Sequence, residues 1–227
     1  MSERQIQMDY KRITILCGHY GSGKTNIAVN MAFDLKKRYN KVSIADLDIV
    51  NPYFRTKDSR DELEAANIKL ISSEYAGTNV DIPALPAEMY SLTDDKSTMA
   101  LLDIGGDDRG ALALGRLAPQ ILEENNYEIL AVINMYRPLT PDAESTAEVL
   151  YEIERAMGMR FTGVINNSNL GEATEAKDVL DSVQYADAVC KRLSLPLYAT
   201  TVCSRLYDSL KDKIDNLFPL NLQKKIN

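Results

Sequence analysis

The sequence predicts an α/β domain with a mostly parallel, twisted sheet of about seven strands and helices on both faces. Apolar runs of strand length alternate with helical patterns from one end of the chain to the other. These runs are rich in Val, Ile and Leu and show little polar alternation, which is typical of strands buried on both faces. No repeat, low-complexity segment or linker interrupts the pattern. We therefore predict a single domain over residues 1–227.

Seven apolar runs are predicted strands: 12–17, 41–46, 68–72, 98–104, 127–134, 161–166 and 196–202. The intervening helical patterns cover residues 24–38, 110–124, 140–157, 174–193 and 204–217. Thr140 and Pro141 are expected as the cap and the first residue of the third of these helices. Ligands of parallel sheets bind at the carboxyl ends of the strands, so the residues that follow each strand are the candidates for function.

Composition and charge exclude several classes of partner. The formal net charge is −7 and the sequence pI is about 4.9, so we expect no nucleic-acid partner and no stable membrane association. The polar N-terminus and the lack of a long apolar run predict a cytoplasmic protein. Cys17, Cys190 and Cys203 are too few and too far apart for a disulfide framework or a Cys-x-x-Cys metal site. The apolar face of 204–217 is expected to pack against the sheet, because its polar face mixes both charges.

The stretch GHYGSGKT (18–25) fits the phosphate-binding pattern G-x-x-x-x-G-K-[ST], between a predicted strand and a predicted helix. Glycines let backbone N–H groups converge on phosphate oxygens, and the helix N-terminus adds partial positive charge. Lys24 is expected to neutralise the β- and γ-phosphates, and the Thr25 hydroxyl to ligate Mg²⁺. The predicted nucleotide contacts of this segment are Gly18, His19, Gly21, Ser22, Gly23, Lys24, Thr25 and Asn26.

Carboxylates follow two other predicted strands. Asp46 and Asp48 come at the end of the second strand, and Asp103 comes at the end of the fourth. Gly106 completes a D-x-x-G turn whose N–H can sense a γ-phosphate. Such sites use one aspartate to hold Mg²⁺ and another to orient the attacking water. We therefore predict a metal site at Thr25, Asp46 and Asp103.

Four stretches together resemble the ParA/MinD group of ATPases within the CobQ/CobB/MinD/ParA nucleotide-binding domains: GKTNIAVNMA (23–32), DLD (46–48), DIGG (103–106) and GVINN (163–167). The resemblance extends over residues 12 to 202. It implies ATP and Mg²⁺ as ligands and a sandwich dimer that closes around two ATP molecules and opens after hydrolysis. It also implies that Asp48 orients the attacking water. GVINN is similar to the family's G-V-x-x-N motif, whose asparagine reads the adenine base, and Asn166 is assigned this role by that match. The absence of an Asn-Lys-x-Asp guanine motif favours ATP over GTP.

The phosphate loop departs from this family at its start. Where the family pattern K-G-G-x-G-K-[ST] has an early lysine that reaches the partner's phosphates, this chain has His19, its only histidine. A histidine is shorter and is mostly uncharged at neutral pH. Tyr20 replaces a family glycine, which restricts the loop backbone. Arg55 and Arg137 are candidates for an arginine finger that supplies the missing charge, or are exposed loop arginines.

The leading hypothesis is an ATPase that acts as a nucleotide-controlled switch, through an ATP-dependent homodimer or the engagement of an unidentified protein partner. One alternative is a small-molecule carboxylate kinase or ligase of the dethiobiotin-synthetase type, which needs a second substrate pocket. Another is a metal or cluster carrier resembling the nitrogenase iron protein, although no cysteine lies in the predicted switch loops. Residues 72–90 are a lid, a partner surface or a crossover with one short helix.

Overall fold

The computed structural model describes residues 8–47, 59–72, 87–105 and 108–222. In these ranges the strands are β1 (Ile13–Cys17), β2 (Val42–Leu47), β3 (Lys69–Ser72), β4 (Met99–Ile104), β5 (Tyr127–Ile133), β6 (Gly163–Asn166), β7 (Leu197–Cys203) and β8 (Leu217–Leu220). The helices are α1 (Lys24–Lys36), α2 (Arg60–Ala65), α3 (Ala87–Asp94), α4 (Asp108–Glu124), α5 (Ala143–Met157), α6 (Ala176–Leu193) and α7 (Ser204–Leu210), and Gly171–Ala173 form a short 3₁₀ helix.

The strands form one parallel sheet in the order β3-β2-β4-β1-β5-β6-β7-β8. The predicted α/β fold is therefore confirmed, with eight strands in the described ranges rather than about seven. β1 lies in the interior of the sheet, where Ile13 pairs with Ala100 of β4 and with Tyr127 of β5. The loop that follows β1 consequently emerges between the carboxyl ends of its two neighbours.

Helices cover both faces of the sheet, as the sequence predicts. On one face, Ile27 and Met31 of α1 and Leu63 of α2 are buried in a core with the sheet. On the other face, buried side chains of α3, α4, α5 and α6 form a second core, which includes Leu117 and Leu150. Because each strand is covered on both sides, its side chains are apolar at successive positions, which explains the continuous apolar runs.

The start of α5 differs from its prediction. Asp142, rather than Thr140, is the N-cap, and its carboxylate accepts hydrogen bonds from the backbone N–H groups of Glu144 and Ser145. The Thr140 hydroxyl donates to the carbonyl oxygen of Asn134 at 2.8 Å instead. Thr140 therefore closes the turn after β5 and is not available as a helix cap.

The C-terminal segment also differs from its prediction. The helix expected over 204–217 ends at Leu210, and Leu217 begins β8. Asn216 has a positive φ of 54°, which ends any helical path before Leu217. Leu210, Ile214 and Leu217 are nevertheless buried together against β7 and α6, as expected of a segment that packs on the sheet. None of the helices in the described ranges combines the length and the apolar character needed to cross a membrane.

Candidate functional site

The loop between β1 and α1 has a backbone that depends on glycine. It follows Cys17 and leads into Lys24, the first residue of α1. Gly18, Gly21 and Gly23 have φ values of 154°, 75° and 92°. Residues other than glycine rarely adopt such φ values, so the three glycines determine the path of the loop backbone.

Two of these glycines also lie where no side chain fits. A Cβ atom on Gly18 would lie 2.3 Å from the carbonyl oxygen of Val132 in β5. A Cβ atom on Gly23 would lie 2.2 Å from the Nδ2 atom of Asn167, just after β6. The loop is therefore packed closely against the ends of β5 and β6.

Polar hydrogen-bonding groups converge inside this loop. Lys24 is only 4% exposed, and its Nζ atom donates to the carbonyl oxygens of Gly18 at 3.0 Å and His19 at 3.4 Å. The first-turn N–H groups of Lys24 and Thr25 have no acceptors within α1. Within the described residues, Ser22 Oγ is buried without a hydrogen-bond partner. An anion with several acceptor oxygens, such as a polyphosphate, fits this arrangement of donors.

Carboxylates of two neighbouring strands lie at the start of α1. The Thr25 hydroxyl donates to Asp103 Oδ2 at 2.6 Å. Asp103 is the penultimate residue of β4, and its register partner in the neighbouring β2 is Asp46. Asp103 is fully buried and Asp46 is 8% exposed. The structure therefore brings together all three residues of the predicted metal site.

The oxygen atoms of these three residues suit Mg²⁺, which prefers hard oxygen ligands. Across the described ranges, no group of three or more His, Cys, Asp and Glu residues is placed to hold a metal. A metal beside Thr25 would therefore take ligands from water and from a bound phosphate as well, which is usual for Mg²⁺ in nucleotide sites.

His19 is half-buried at the start of the loop. Burial lowers the pKa of its imidazole below the ordinary value of 6.5, and the positive charge of Lys24 lowers it further, against a smaller opposing effect of a hydrogen bond with the Tyr20 backbone. The imidazole is consequently neutral at neutral pH. This agrees with the expectation that His19 supplies no permanent charge.

Two side chains from distant parts of the chain hold the loop in place. Arg137, in the turn after β5, donates from Nε to the carbonyl oxygen of Gly21 at 2.8 Å. Asn167 donates from Nδ2 to the carbonyl oxygen of Ser22 at 2.6 Å, and its Oδ1 accepts from the Thr201 hydroxyl at 2.5 Å. Sequence reasoning missed Asn167 and Thr201. The signals for Asn167 were its position directly after a predicted strand and its place at the end of GVINN.

The structure places the side chain of Asn166 between β6 and α6. This residue is fully buried; its Nδ2 donates to Ser182 Oγ at 2.9 Å and its Oδ1 accepts from Ser168 Oγ at 2.7 Å. Its amide is therefore used between β6 and α6 and does not contact the phosphate loop. Counting along GVINN also places the asparagine of the G-V-x-x-N pattern at Asn167. By this count the base-reading role of the motif falls on Asn167, whose amide is bonded to Ser22 and Thr201. For both asparagines the role stays a prediction.

Several candidate positions fall outside the described residues, namely Asp48, Arg55, Gly106 and most of the 72–90 segment. Their roles stay predictions. The end of the 72–90 segment is described, and its residues from Ala87 onward begin α3. Asn26 lies on the first turn of α1, next to Thr25, and its predicted nucleotide contact also stays a prediction.

Solved structures share the fold of this chain. FlhF complexed with GTP/Mg²⁺ matches with a TM-score of 0.52 and 12% identity, over 86% of this chain and 67% of that chain. FtsY from Mycoplasma mycoides matches with a TM-score of 0.50 and 18% identity, over 84% of this chain and 62% of that one. FtsY from Elizabethkingia anophelis in complex with GDP matches with a TM-score of 0.50 and 14% identity, over 87% of this chain and 59% of that chain. The chain thus spans less than two thirds of these FtsY chains.

No curated protein sequence matches the chain. A family model does: CbiA, the CobQ/CobB/MinD/ParA nucleotide binding domain, matches residues 13–193. This match runs from the first residue of β1 to the last residue of α6 and includes the phosphate loop, the carboxylates of β2 and β4 and the end of β6. The chain therefore belongs to the CobQ/CobB/MinD/ParA family of nucleotide-binding domains.

Proposed function

We propose that this chain is a magnesium-dependent ATP-binding protein and ATPase that acts as a nucleotide-controlled switch. The observation that carries the proposal is the hydrogen bond between Thr25 Oγ1 and Asp103 Oδ2, at 2.6 Å, beside the buried ammonium group of Lys24. This bond pairs a hydroxyl with a carboxylate, which are the usual protein ligands of magnesium on a nucleotide. The pair lies at the end of a loop whose hydrogen-bond donors converge on one place.

Each residue of the loop has a defined task in this proposal. Lys24 exchanges its bonds to the carbonyl oxygens of Gly18 and His19 for bonds to phosphate oxygens. The hydroxyl of Thr25 and the carboxylates of Asp46 and Asp103 hold Mg²⁺, directly or through water. The bound metal neutralises charge that develops on the phosphates.

Asp48 orients and deprotonates the attacking water in this proposal. It directly follows Leu47, the last residue of β2, and comes two positions after Asp46. Hydrolysis then transfers the terminal phosphoryl group to that water and leaves ADP and phosphate.

The contact between β4 and α4 supports a switch. A Cβ atom on Gly110 would lie 2.9 Å from the backbone nitrogen of Gly105, so the first turn of α4 packs directly on the residue after β4. Asp103 is only two residues before Gly105. A change of contacts at Asp103 on binding or hydrolysis would therefore be transmitted to α4, in the manner of other nucleotide switches.

Exposed apolar side chains at the same edge of the sheet support a partner surface. Tyr20 on the phosphate loop is 50% exposed, Leu139 after β5 is 56% exposed, and Leu170 after β6 is 47% exposed. Apolar side chains grouped near a site commonly mark a face that a partner covers. We propose a second copy of this chain as that partner, when the triphosphate is bound.

The test is to measure nucleotide binding, hydrolysis and molar mass on the same samples. Mass is measured by light scattering without nucleotide, with Mg-ADP, and with Mg²⁺ and non-hydrolysable analogues of ATP and GTP. We expect tighter binding of the ATP analogue, slow ATP hydrolysis and a doubling of mass only with the triphosphate. Preference for the guanine analogue would contradict the choice of base, and turnover only on addition of a carboxylate substrate would favour a kinase or ligase.

Two variants distinguish a loss of binding at the phosphate loop from a general effect of removing a lysine. Lys24→Ala removes the buried ammonium and is expected to weaken triphosphate binding by more than about tenfold, as for loss of a charge-assisted hydrogen bond. Lys41→Ala is the matched control, because the Lys41 side chain is 61% exposed and precedes the amino end of β2. Equal binding by both variants would overturn the proposed site.

A further inference from the structure

Arg137 lies against the tip of the phosphate loop. Its Nε atom is 2.8 Å from the carbonyl oxygen of Gly21. The Arg137 side chain also lies next to Gly21. A Cβ atom added to Gly21 would lie 3.6 Å from Arg137 Nε and 3.8 Å from Arg137 Cδ. The side chain therefore reaches across from the turn after β5 to the segment of the loop in which family members carry their early lysine.

Hydrogen bonds within the turn between Asn134 and Thr140 fix the backbone around Arg137. The Arg137 N–H donates to the carbonyl oxygen of Asn134 at 3.2 Å, and the Arg137 carbonyl oxygen accepts from the Thr140 N–H at 3.1 Å. The Asn134 side chain accepts from the Tyr136 N–H at 3.0 Å. A residue on such a turn can hold a charged side chain at the loop with little further loss of conformational entropy.

The guanidinium of Arg137 lacks an acidic partner among the described residues. A guanidinium has five N–H donors in a planar fork, and the bond to Gly21 uses one of them. The remaining donors match the oxygens of a phosphate better than the single ammonium of a lysine does.

We propose that Arg137 is a phosphate-binding residue that supplies, from the same subunit, the positive charge that His19 does not. Its Nε bond to Gly21 fixes the guanidinium at the loop, and its terminal nitrogens bind phosphate oxygens of the nucleotide. This inference rests on the proposed function, because it assigns Arg137 to the same nucleotide site as Lys24.

The test compares three ligands that differ in phosphate content. Dissociation constants are measured for a non-hydrolysable triphosphate analogue with Mg²⁺, for the Mg-diphosphate and for the free nucleoside, in adenine and guanine series. Arg137→Gln is expected to weaken binding of the triphosphate analogue by about tenfold. Binding of the diphosphate should weaken less, and binding of the nucleoside should not change. Arg137→Lys keeps a charge without the fork and is expected to fall between Arg137→Gln and wild type.

A rescue experiment separates charge from structure. Millimolar guanidinium chloride, far below unfolding concentrations, is expected to restore part of the triphosphate affinity to Arg137→Ala, while the same concentration of sodium chloride is not. Arg160→Gln is the matched control, since Arg160 is 88% exposed and precedes β6 at the opposite end of the sheet. Thermal unfolding of all variants shows whether the fold is retained.

Each contrary result has a distinct meaning. Wild-type affinity in Arg137→Gln, with Lys24→Ala still defective, would overturn the role of Arg137 and leave the proposed function standing. An equal loss for all three ligands, without rescue by guanidinium, would make Arg137 a structural tether of Gly21 and would also overturn the proposal. Failure of the wild-type chain to bind any triphosphate would overturn both.

Discussion

Asn167 donates a hydrogen bond from Nδ2 to the carbonyl oxygen of Ser22 at 2.6 Å, and thereby joins the end of β6 to the centre of the phosphate loop. The two residues are 145 positions apart in the chain. The same amide accepts a hydrogen bond from Thr201 in β7. Three strand ends of one sheet therefore share a single buried side chain.

Asn167→Ala is predicted to weaken both the fold and the site. It leaves the buried Ser22 carbonyl oxygen without its hydrogen-bond donor, which costs about 1 to 3 kcal/mol. The Thr201 hydroxyl then keeps only its longer bond to the Asn166 carbonyl oxygen. Thr201→Val removes the bonds of the hydroxyl to Asn167 Oδ1 and to the Asn166 carbonyl oxygen, and it keeps the tether to Ser22. We expect urea unfolding to show a loss of stability in both variants, and nucleotide titration to show the larger loss of affinity in Asn167→Ala. Equal affinities in the two variants would contradict a role for the tether in binding.

Steric conflict at the loop glycines gives a second prediction. Gly18→Ala would place a Cβ atom 2.3 Å from the carbonyl oxygen of Val132, so β5 or the loop must move. Gly171→Ala is a matched control, because Gly171 also has a positive φ of 67° but no atom within 4 Å of its Cβ position. The control is expected to cost about 1 to 2 kcal/mol of stability, as for a left-handed residue, with unchanged nucleotide affinity.

Gly18→Ala is expected to lose more stability than Gly171→Ala and to lose triphosphate binding. Urea unfolding and nucleotide titration of the two variants, side by side, check this. A Gly18→Ala protein that binds nucleotide as well as the control would show that the loop path tolerates a side chain there.

The sequence predicts the central strands well and the C-terminal edge poorly, for a physical reason. Strands covered on both faces need apolar residues at successive positions, and this pattern is visible in any one of them. The β8 segment is short and contains Pro219, and it follows a run in which apolar residues continue at helical spacing. What makes it a strand is pairing with β7, where the Thr200 N–H donates to the Asn216 carbonyl oxygen. Such a contact is not encoded locally.

The residues of the candidate site also fall into those that the sequence predicts and those that it does not. Lys24, Thr25 and Asp103 could be placed by motif spacing and by the rule that ligands bind at the carboxyl ends of parallel strands. The tether from Arg137 to Gly21 joins residues 116 positions apart and depends on how two loops pack. Asn166 and Asn167 have the same side chain and are both buried, so the sequence distinguishes them only by an accurate count along GVINN. In the structure, Asn167 bonds to the phosphate loop and Asn166 bonds to Ser182.

Glu128 gives a prediction on pH. Burial raises the pKa of its carboxyl above the ordinary value of 4.5, against smaller opposing effects of hydrogen bonds from Thr14, Lys11 and Tyr198. A carboxyl whose pKa is raised in the folded state binds its proton more tightly there than in the unfolded state. Its contribution to stability is therefore fully present below pH 4.5 and is lost as the pH rises through the raised pKa.

Glu128→Gln keeps the acceptor oxygen for the Thr14 hydroxyl and removes the titration. We expect the stability of the wild-type chain, relative to Glu128→Gln, to fall as the pH rises from 4.5 toward neutrality. Urea unfolding at a series of pH values measures this difference, in which other titrating groups cancel. A constant difference across the series would show that Glu128 titrates alike in both states.

His19 is the position at which a single change can restore the family pattern. His19→Lys replaces an imidazole whose pKa is lowered by burial and by Lys24 with a permanent ammonium. If the dimer closes over the triphosphate as proposed, this ammonium can reach the phosphates of the second copy. We then expect half-maximal dimerisation, with Mg²⁺ and a non-hydrolysable ATP analogue, at a protein concentration lower by about tenfold.

His19→Gln is the control, since it keeps a neutral hydrogen-bonding side chain and is expected to dimerise as the wild type does. Light scattering over a dilution series, at low and high salt, measures the effect, which salt should weaken because it depends on charge. Identical dilution curves for the Lys and Gln variants would show that the partner's phosphates lie beyond the reach of position 19. The charge at this end of the loop would then have to come from the same subunit, where Arg137 already contacts Gly21.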